Sequence, residues 1–207
     1  MSDLKNKELD DESRIIARLK KGHEGAFRIL MQQYQGRLYN IALGITADKE
    51  ESLEIVQEVF LKVYRKIHTF KQEAKLSSWL HRITVNECLN WKRRWKRRFK
   101  WQHQPMEGND GSYYPELTSD DPDPETAYQK KELENELWKK LKELPENARV
   151  VFVLNVIEEL TYDEIAGILK ISRGTVSSRL FYARRKLKES LNFSDDSQKK
   201  CNMEKIK

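Results

Sequence analysis

The stretch from Thr161 to Leu191, TYDEIAGILKISRGTVSSRLFYARRKLKESL, limits the possible folds more than any other. Thr161 with Glu164 three residues later makes a capping box, which satisfies two of the N–H groups a helix start leaves orphaned. Ile165, Ala166, Ile168 and Leu169 give that helix a buried side. Lys170-Ile171 breaks it, and Ser172 is the N-cap candidate of a second helix. There Val176, Leu180, Ala183, Leu187 and Leu191 recur on one face. The other face holds Gly174, Ser178, Phe181, Tyr182 and Arg185, so two aromatics turn away from the core and need a partner outside the domain. Lys170 to Lys188 contains seven Lys/Arg residues and no acid. Helix, tight turn and basic helix predict a helix-turn-helix whose second helix enters a DNA major groove. A helical hairpin with a solvated basic face is the plainer alternative.

Charge elsewhere is segregated. Ser78 to Trp101 carries eight Lys/Arg and one acid, Glu87, whereas Gln102 to Gln129 carries seven Asp/Glu and no Lys/Arg. With a net charge of +6, this distribution favours a polyanionic partner. Cys88 and Cys201 are too few and too far apart for a disulfide framework or a zinc knuckle, and the four histidines do not cluster with them. No metal, no cofactor and no catalytic residues are expected. The polar N-terminus has no apolar signal region, and no apolar run approaches the roughly 20 residues of a membrane span. A cytoplasmic protein without direct membrane insertion is expected.

No convincing run of alternating β-branched residues appears, so the fold class is all-α: two small helical domains joined by a flexible acidic linker. The expected division is a frayed N-terminus over 1–12, a first domain over 13–101, the linker over 102–124, a second domain over 125–192 and a polar tail over 193–207. Helices are expected around Ser13–Lys20 and Glu24–Gly44, and from the capping pair Asp48/Glu51 to about His68. In the last of these Glu50, Glu51, Glu54 and Glu58 come early and Lys62, Arg65 and Lys66 late. That order suits the helix macrodipole, and it equally suits an acidic docking face beside Gln57. A polar loop from Phe70 to Ser78 follows, with Ser77 or Ser78 as the cap of a helix running through WKRRWKRRFKW. Cations interleaved with aromatics suit a nucleic-acid strand, since the cations neutralise phosphates and rings stack on exposed bases. Trp91 itself is expected in the core. The linker holds four of the five prolines. Beyond it come a helix with Leu133, Leu137, Leu141 and Leu144, a break at Pro145, and a strongly apolar helix over Val150–Ile157.

Taken together, AFRILMQQYQGRLYNIALGITAD, SLEIVQEVFLKVYRKIHTF, KLSSWLHRITVNECLNWKRR and LKELPENARVVFVLNVIEELTYDEIAGILKISRGTVSSRL resemble a sigma factor of the sigma-70 family, in its compact extracytoplasmic-function group. The likeness runs over roughly Ile15–Arg98 and Glu125–Leu191. It implies sigma domains two and four, with core RNA polymerase, promoter DNA (duplex and melted non-template strand) and a cognate anti-sigma factor as partners. The helix around Glu54, Gln57, Glu58, Phe60 and Leu61 resembles the family's docking helix for the clamp of the largest polymerase subunit. Lys75, Ser77, Ser78, Trp79, Arg82 and Asn86 fall where the family reads the minus-ten element, with Arg93, Arg94, Arg97 and Arg98 along phosphates. Ser172, Arg173, Thr175, Ser177, Ser178, Arg179, Phe181 and Arg184 match the helix that reads the minus-thirty-five element.

The sequence departs from the family at several positions. Glu54 and Asn90 stand where aspartates are common, and Ser177 and Tyr182 where basic residues are common. The implied function is promoter-specific initiation of transcription by a non-enzymatic polymerase subunit. A stand-alone helix-turn-helix regulator of duplex DNA is the alternative, opposed by the tryptophan-rich basic helix and the acidic linker.

Overall fold

The computed structural model describes residues 12–99 and 138–204; the expected frayed terminus, the acidic linker and the helix start at Glu125 lie outside the described residues. No strand occurs among the described residues. The chain divides into two units, Met1–Arg97 and Arg98–Lys207.

In the first unit, α1 (residues 12–20) buries Ile16 and Leu19 and ends at Gly22, whose φ of 75° suits a residue without Cβ. α2 (Glu24–Thr46) packs on α3 (Lys49–Lys66) through Leu30, Leu38, Ile41 and Ile45 on one side and Ile55, Val59 and Val63 on the other. A two-residue corner sets their angle. Ala47 adopts the left-handed conformation at φ 55° and its N–H donates to Leu43 O at 2.7 Å, closing α2. Asp48 opens α3 by accepting from the Glu51 N–H at 3.0 Å, as the sequence predicts. Thr46 and Ser52, both buried, meet hydroxyl to hydroxyl at 2.9 Å beneath the corner, so neither polar group is left without a partner.

A 3-10 turn, Ile67–Thr69, ends α3, and a loop over residues 70–75 leads into α4 (Leu76–Phe99). The loop is shorter than expected, and neither Ser77 nor Ser78 caps the helix, because both already lie inside its first turn. The Leu76 N–H instead donates to Glu12 Oε1 at 2.6 Å. A carboxylate from α1, 64 residues upstream in the sequence, therefore satisfies one of α4's orphan donors. Its negative charge also suits the positive end of the helix.

In the second unit, α5 (described over residues 138–143) is broken at Pro145, and α6 (Glu146–Phe152) widens into a π-helical turn over Val153–Ile157. The expected single helix over Val150–Ile157 is thus an α-helix that starts four residues earlier and ends in a π turn. α7 (Tyr162–Leu169) and α8 (Arg173–Glu204) form the helix-turn-helix, and both pack on one core of Leu154, Ile165, Val176, Leu180 and Ala183. α8 stays helical past the expected tail boundary, since no glycine or proline follows Gly174.

Arg149 is 5% exposed and reaches from α6 to the carbonyls of Lys142 and Leu144, the latter at 2.9 Å. It closes the end of α5, where helix carbonyls run out of partners. Burial pulls its guanidinium below the ordinary arginine value, and Glu146 opposes that shift.

Two stability outcomes follow. Glu12→Ala lowers the unfolding free energy of the first unit by about 1 kcal/mol, the usual cost of a lost cap, whereas Glu12→Gln keeps most of it through its side-chain oxygen. Phe60, 4% exposed and edge-to-face with Phe27 at 6.2 Å, costs about 3–5 kcal/mol on truncation to alanine. Leu61→Ala, at a side chain 47% exposed, stays within about 0.5 kcal/mol. Urea unfolding followed by tryptophan fluorescence, which reports on Trp79, Trp91 and Trp95 in this unit, measures all four variants.

Candidate functional site

Three surfaces carry the expected residues. The first is a groove of ≈ 660 Å³ between α2 and α3, lined by Phe27, Met31, Leu53, Gln57, Leu61 and Tyr64 among others. Tyr64 stands edge-to-face on Phe27 at 5.5 Å and forms one wall. Leu53 is 55% exposed and Tyr64 59%, on the same helix face as Gln57 and Leu61. Such a contiguous apolar strip marks a protein-binding surface. Glu54 and Glu58, also exposed, give α3 an acidic stripe beside it.

Phe60, placed by sequence among the docking residues, lines the floor of the groove although only 4% exposed. Leu53, Tyr64, Phe27 and Met31 are groove residues that sequence reasoning missed. The signal was present, because Leu53, Leu61 and Tyr64 fall off the Ile55/Val59/Val63 face that the core consumes.

The second surface is α4 with its preceding loop. Buried Phe70 and half-buried Trp79 stack at 5.1 Å with their planes tilted by 36°, which ties the loop to the first turn of the helix. Lys75 is exposed in the loop, and Ser77 and Ser78 are half-buried. Arg82, Asn86, Arg93 and Arg97 are exposed along one stripe, with Arg94 exposed to its side. The Arg98 side chain lies outside the described residues. Trp91 is half-buried, while Trp95 is 48% exposed, so the aromatic stripe leaves the core within one turn.

A polar cleft beside this stripe is lined by Lys62, Glu87, Asn90, Arg93, Arg94 and Arg97. Glu87 is the sole acid of the basic block, and it is buried in an ion pair with Lys62 of α3. Its charge is thereby neutralised where it would otherwise repel phosphate. Lys62 of α3 lines this cleft, and Lys62 and Lys66 both line a second one beside Asn86, Glu87 and Arg93, a contribution not visible from the order of charges along α3. Cys88, next to Glu87 in the sequence, is buried, and burial pushes its thiol far above the ordinary range, which removes thiolate chemistry.

The third surface is α8. Both capping motifs read from sequence are present: Thr161 Oγ1 accepts from the Glu164 N–H at 3.3 Å and Glu164 Oε2 from the Thr161 N–H at 3.0 Å. Ser172 Oγ accepts from the Thr175 N–H at 3.1 Å. Lys170 takes the left-handed conformation at φ 54°, which makes the turn between the helices. Ser172 and Thr175 are therefore engaged in the cap, their hydroxyls 2.8 Å apart, and Ser178 Oγ donates to Thr175 O at 3.1 Å. Arg173, Ser177, Phe181 and Arg184 are exposed, and Phe181 is 68% exposed. Arg179 and Tyr182 are half-buried, and the Arg185 guanidinium sits over the Tyr182 ring at 5.9 Å. Val176, Leu180, Ala183 and Leu187 are all buried, as their spacing predicts, and the Leu191 side chain lies outside the described residues.

Among the described residues no group of three His, Cys, Asp or Glu could hold a metal ion, and no helix is long and apolar enough to cross a membrane.

Comparison with known proteins gives the same two units. The family pattern Sigma-70 region 2 matches residues 30–98, and the pattern Sigma-70, region 4 matches residues 134–187. The chain is 32% identical over 177 residues to the ECF (extracytoplasmic-function) RNA polymerase sigma factor SigW of Bacillus subtilis (strain 168), covering 85% of this chain and 94% of that one. It is 30% identical over 186 residues to the ECF RNA polymerase sigma-E factor of Haemophilus influenzae, covering 89% and 96%. The sigma factor RpoE of Bartonella quintana, solved in complex with the anti-sigma factor NepR, has the same fold with a TM-score of 0.62 at 22% identity, over 80% of this chain and 96% of that one. With both regions matched in order and a curated relative spanned almost end to end, the chain belongs to the sigma-70 family of RNA polymerase sigma factors, in its extracytoplasmic-function group.

Proposed function

We propose that the three surfaces divide the work of a sigma factor, which brings core polymerase to a promoter and helps melt it without covalent chemistry of its own. The observation that carries this reading is the sorting of surface chemistry by element. An exposed apolar strip rimmed by acid lies on α3, whereas acid-poor basic faces lie on α4 and α8.

The α3 strip, with Glu54, Gln57, Glu58 and Leu61 joined by Leu53 and Tyr64, docks on core polymerase. An anti-sigma factor covers the same groove when the protein is silent, because an apolar patch of this kind needs cover in water. Phe60 supports the strip from below. Lys75, Ser77, Ser78, Trp79, Arg82 and Asn86 hold the melted non-template strand of the minus-ten element. A loop that keeps a base unstacked offsets the few kcal/mol that separating it costs. Arg93, Arg94, Arg97 and Arg98 follow phosphates there. On α8, Arg173, Ser177, Arg179, Phe181 and Arg184 meet the minus-thirty-five major groove, where Phe181 offers an apolar face to a thymine methyl. Ser172, Thr175 and Ser178 set the pitch at which the helix enters. The functional divisions proposed are 13–101 and 125–192, joined by the acidic stretch 102–124, and the place of action is the cytoplasm, where polymerase is.

Run-off transcription on a pool of genomic promoters, with core polymerase alone and with this protein added, tests the reading as a whole. Discrete transcripts that require the protein are expected. Tight binding to duplex DNA with no binding to polymerase would sink the assignment. Arg173→Glu with Arg185→Glu is expected to cut promoter-directed transcription at least about tenfold while leaving core binding in a pull-down unchanged. Gln57→Ala with Leu61→Ala is expected to weaken core binding about tenfold with the fold intact, as truncation of two interface side chains does. Unchanged affinity for core would place docking elsewhere.

A further inference from the structure

The π turn that ends α6 has a use beyond linking two helices. Glu158 N–H donates to Val153 O at 3.3 Å and Leu160 N–H to Leu154 O at 3.1 Å, so the backbone curls tightly before the helix-turn-helix begins. Glu159 sits at φ 54° within this curl. This π turn closes α6 rather than interrupting it. Asn155, half-buried, lies in the middle of this one and makes two hydrogen bonds in opposite directions. Its Nδ2 donates to Leu160 O at 2.9 Å, one residue before the α7 N-cap. Its Oδ1 accepts from Arg184 Nη2 of α8 at 3.1 Å, across 29 residues of sequence.

Arg184 shares the exposed stripe of α8 with Arg173 and Ser177 and flanks Phe181. A guanidinium carries five N–H donors in a planar fork, so one bond to Asn155 leaves the rest of the fork free to meet an anion. A free arginine loses rotamer entropy when it docks, and an arginine already held loses less. The holding group is a neutral amide, which fixes the guanidinium without neutralising its charge. A carboxylate in the same place would fix it and also compete with phosphate.

We propose that Asn155 is a positioning residue for the minus-thirty-five interaction, presetting Arg184 as a phosphate clamp on duplex DNA. The inference rests on the reading of α8 as the DNA-facing helix and adds the element behind it. The test uses holoenzyme assembled from core polymerase and the full chain, on a promoter fragment recovered by run-off transcription. Affinity is followed by fluorescence anisotropy over a salt series for Asn155→Ala, Asn155→Asp, Arg184→Ala and the double alanine variant.

Arg184→Ala is expected to lose about tenfold and to lower the salt slope by about one, as loss of one phosphate contact does. Asn155→Ala is expected to lose about threefold to tenfold with its slope retained, and to add nothing once Arg184 is gone. Asn155→Asp is expected to lower the slope toward that of Arg184→Ala while keeping the fold. Equal losses from Asn155→Ala in both backgrounds would overturn the proposal, because the amide would then act only through the turn. So would an Arg184→Ala variant that binds like the unmodified protein. If that variant is silent while the Arg173/Arg185 charge reversal still abolishes promoter binding, the role of α8 stands and the Asn155 assignment alone falls.

Discussion

Two of the working helices carry far more positive charge than an isolated helix can bring together without cost, and each is held by a strip of aliphatic side chains on its inner side. In α8 that strip is Val176, Leu180, Ala183 and Leu187, all buried. In α4 a broader buried side is made by Leu76, Leu80 and Val85 together with the Cys88 thiol. Each larger member contributes about 1.5–3 kcal/mol by leaving water. Cations crowded on the outer side repel one another by much less, because solvent and salt screen them. Burial on one face therefore lets the other carry a dense row of cations. Where the strip ends, as at Trp95, aromatic surface emerges into solvent beside the arginines.

Aliphatic packing holds a helix down but does not fix where it begins. Three polar side chains fix helix ends and turns. Glu12 of α1 closes the start of α4, Arg149 of α6 closes the end of α5, and Asn155 joins the π turn to both the α7 approach and α8. Each meets backbone groups that a helix terminus or a tight turn leaves unsatisfied, and burial makes such groups costly to abandon. The Lys62–Glu87 pair serves electrostatics in another way, since it cancels the one acid that interrupts the basic block. These links cost little sequence, and they convert a set of amphipathic helices into surfaces with defined orientation.

The groove between α2 and α3 follows a different logic. Its walls are large apolar side chains left in water above a filled core, with Phe60 edge-to-face on Phe27 at the groove floor. A monomer gains nothing from exposing Leu53, Leu61 and Tyr64, and an apolar patch of that kind is characteristic of a surface that meets another molecule.

The sequence alone determined the all-helical class, both capping motifs of the helix-turn-helix, the Asp48 cap, the buried face of α8 and the segregation of charge. All of these depend on residues within about one or two turns of each other, where periodicity and capping chemistry are local. Only the tertiary structure decided which of α3's apolar residues are core, since Phe60 and Leu61 are neighbours in sequence and differ in which side α2 covers. It also decided that Glu12 rather than Ser77 or Ser78 caps α4, and that Asn155 reaches Arg184. Those contacts span 64 and 29 residues, and side chains that far apart are brought within 3 Å or so by packing of whole helices, which no local pattern encodes.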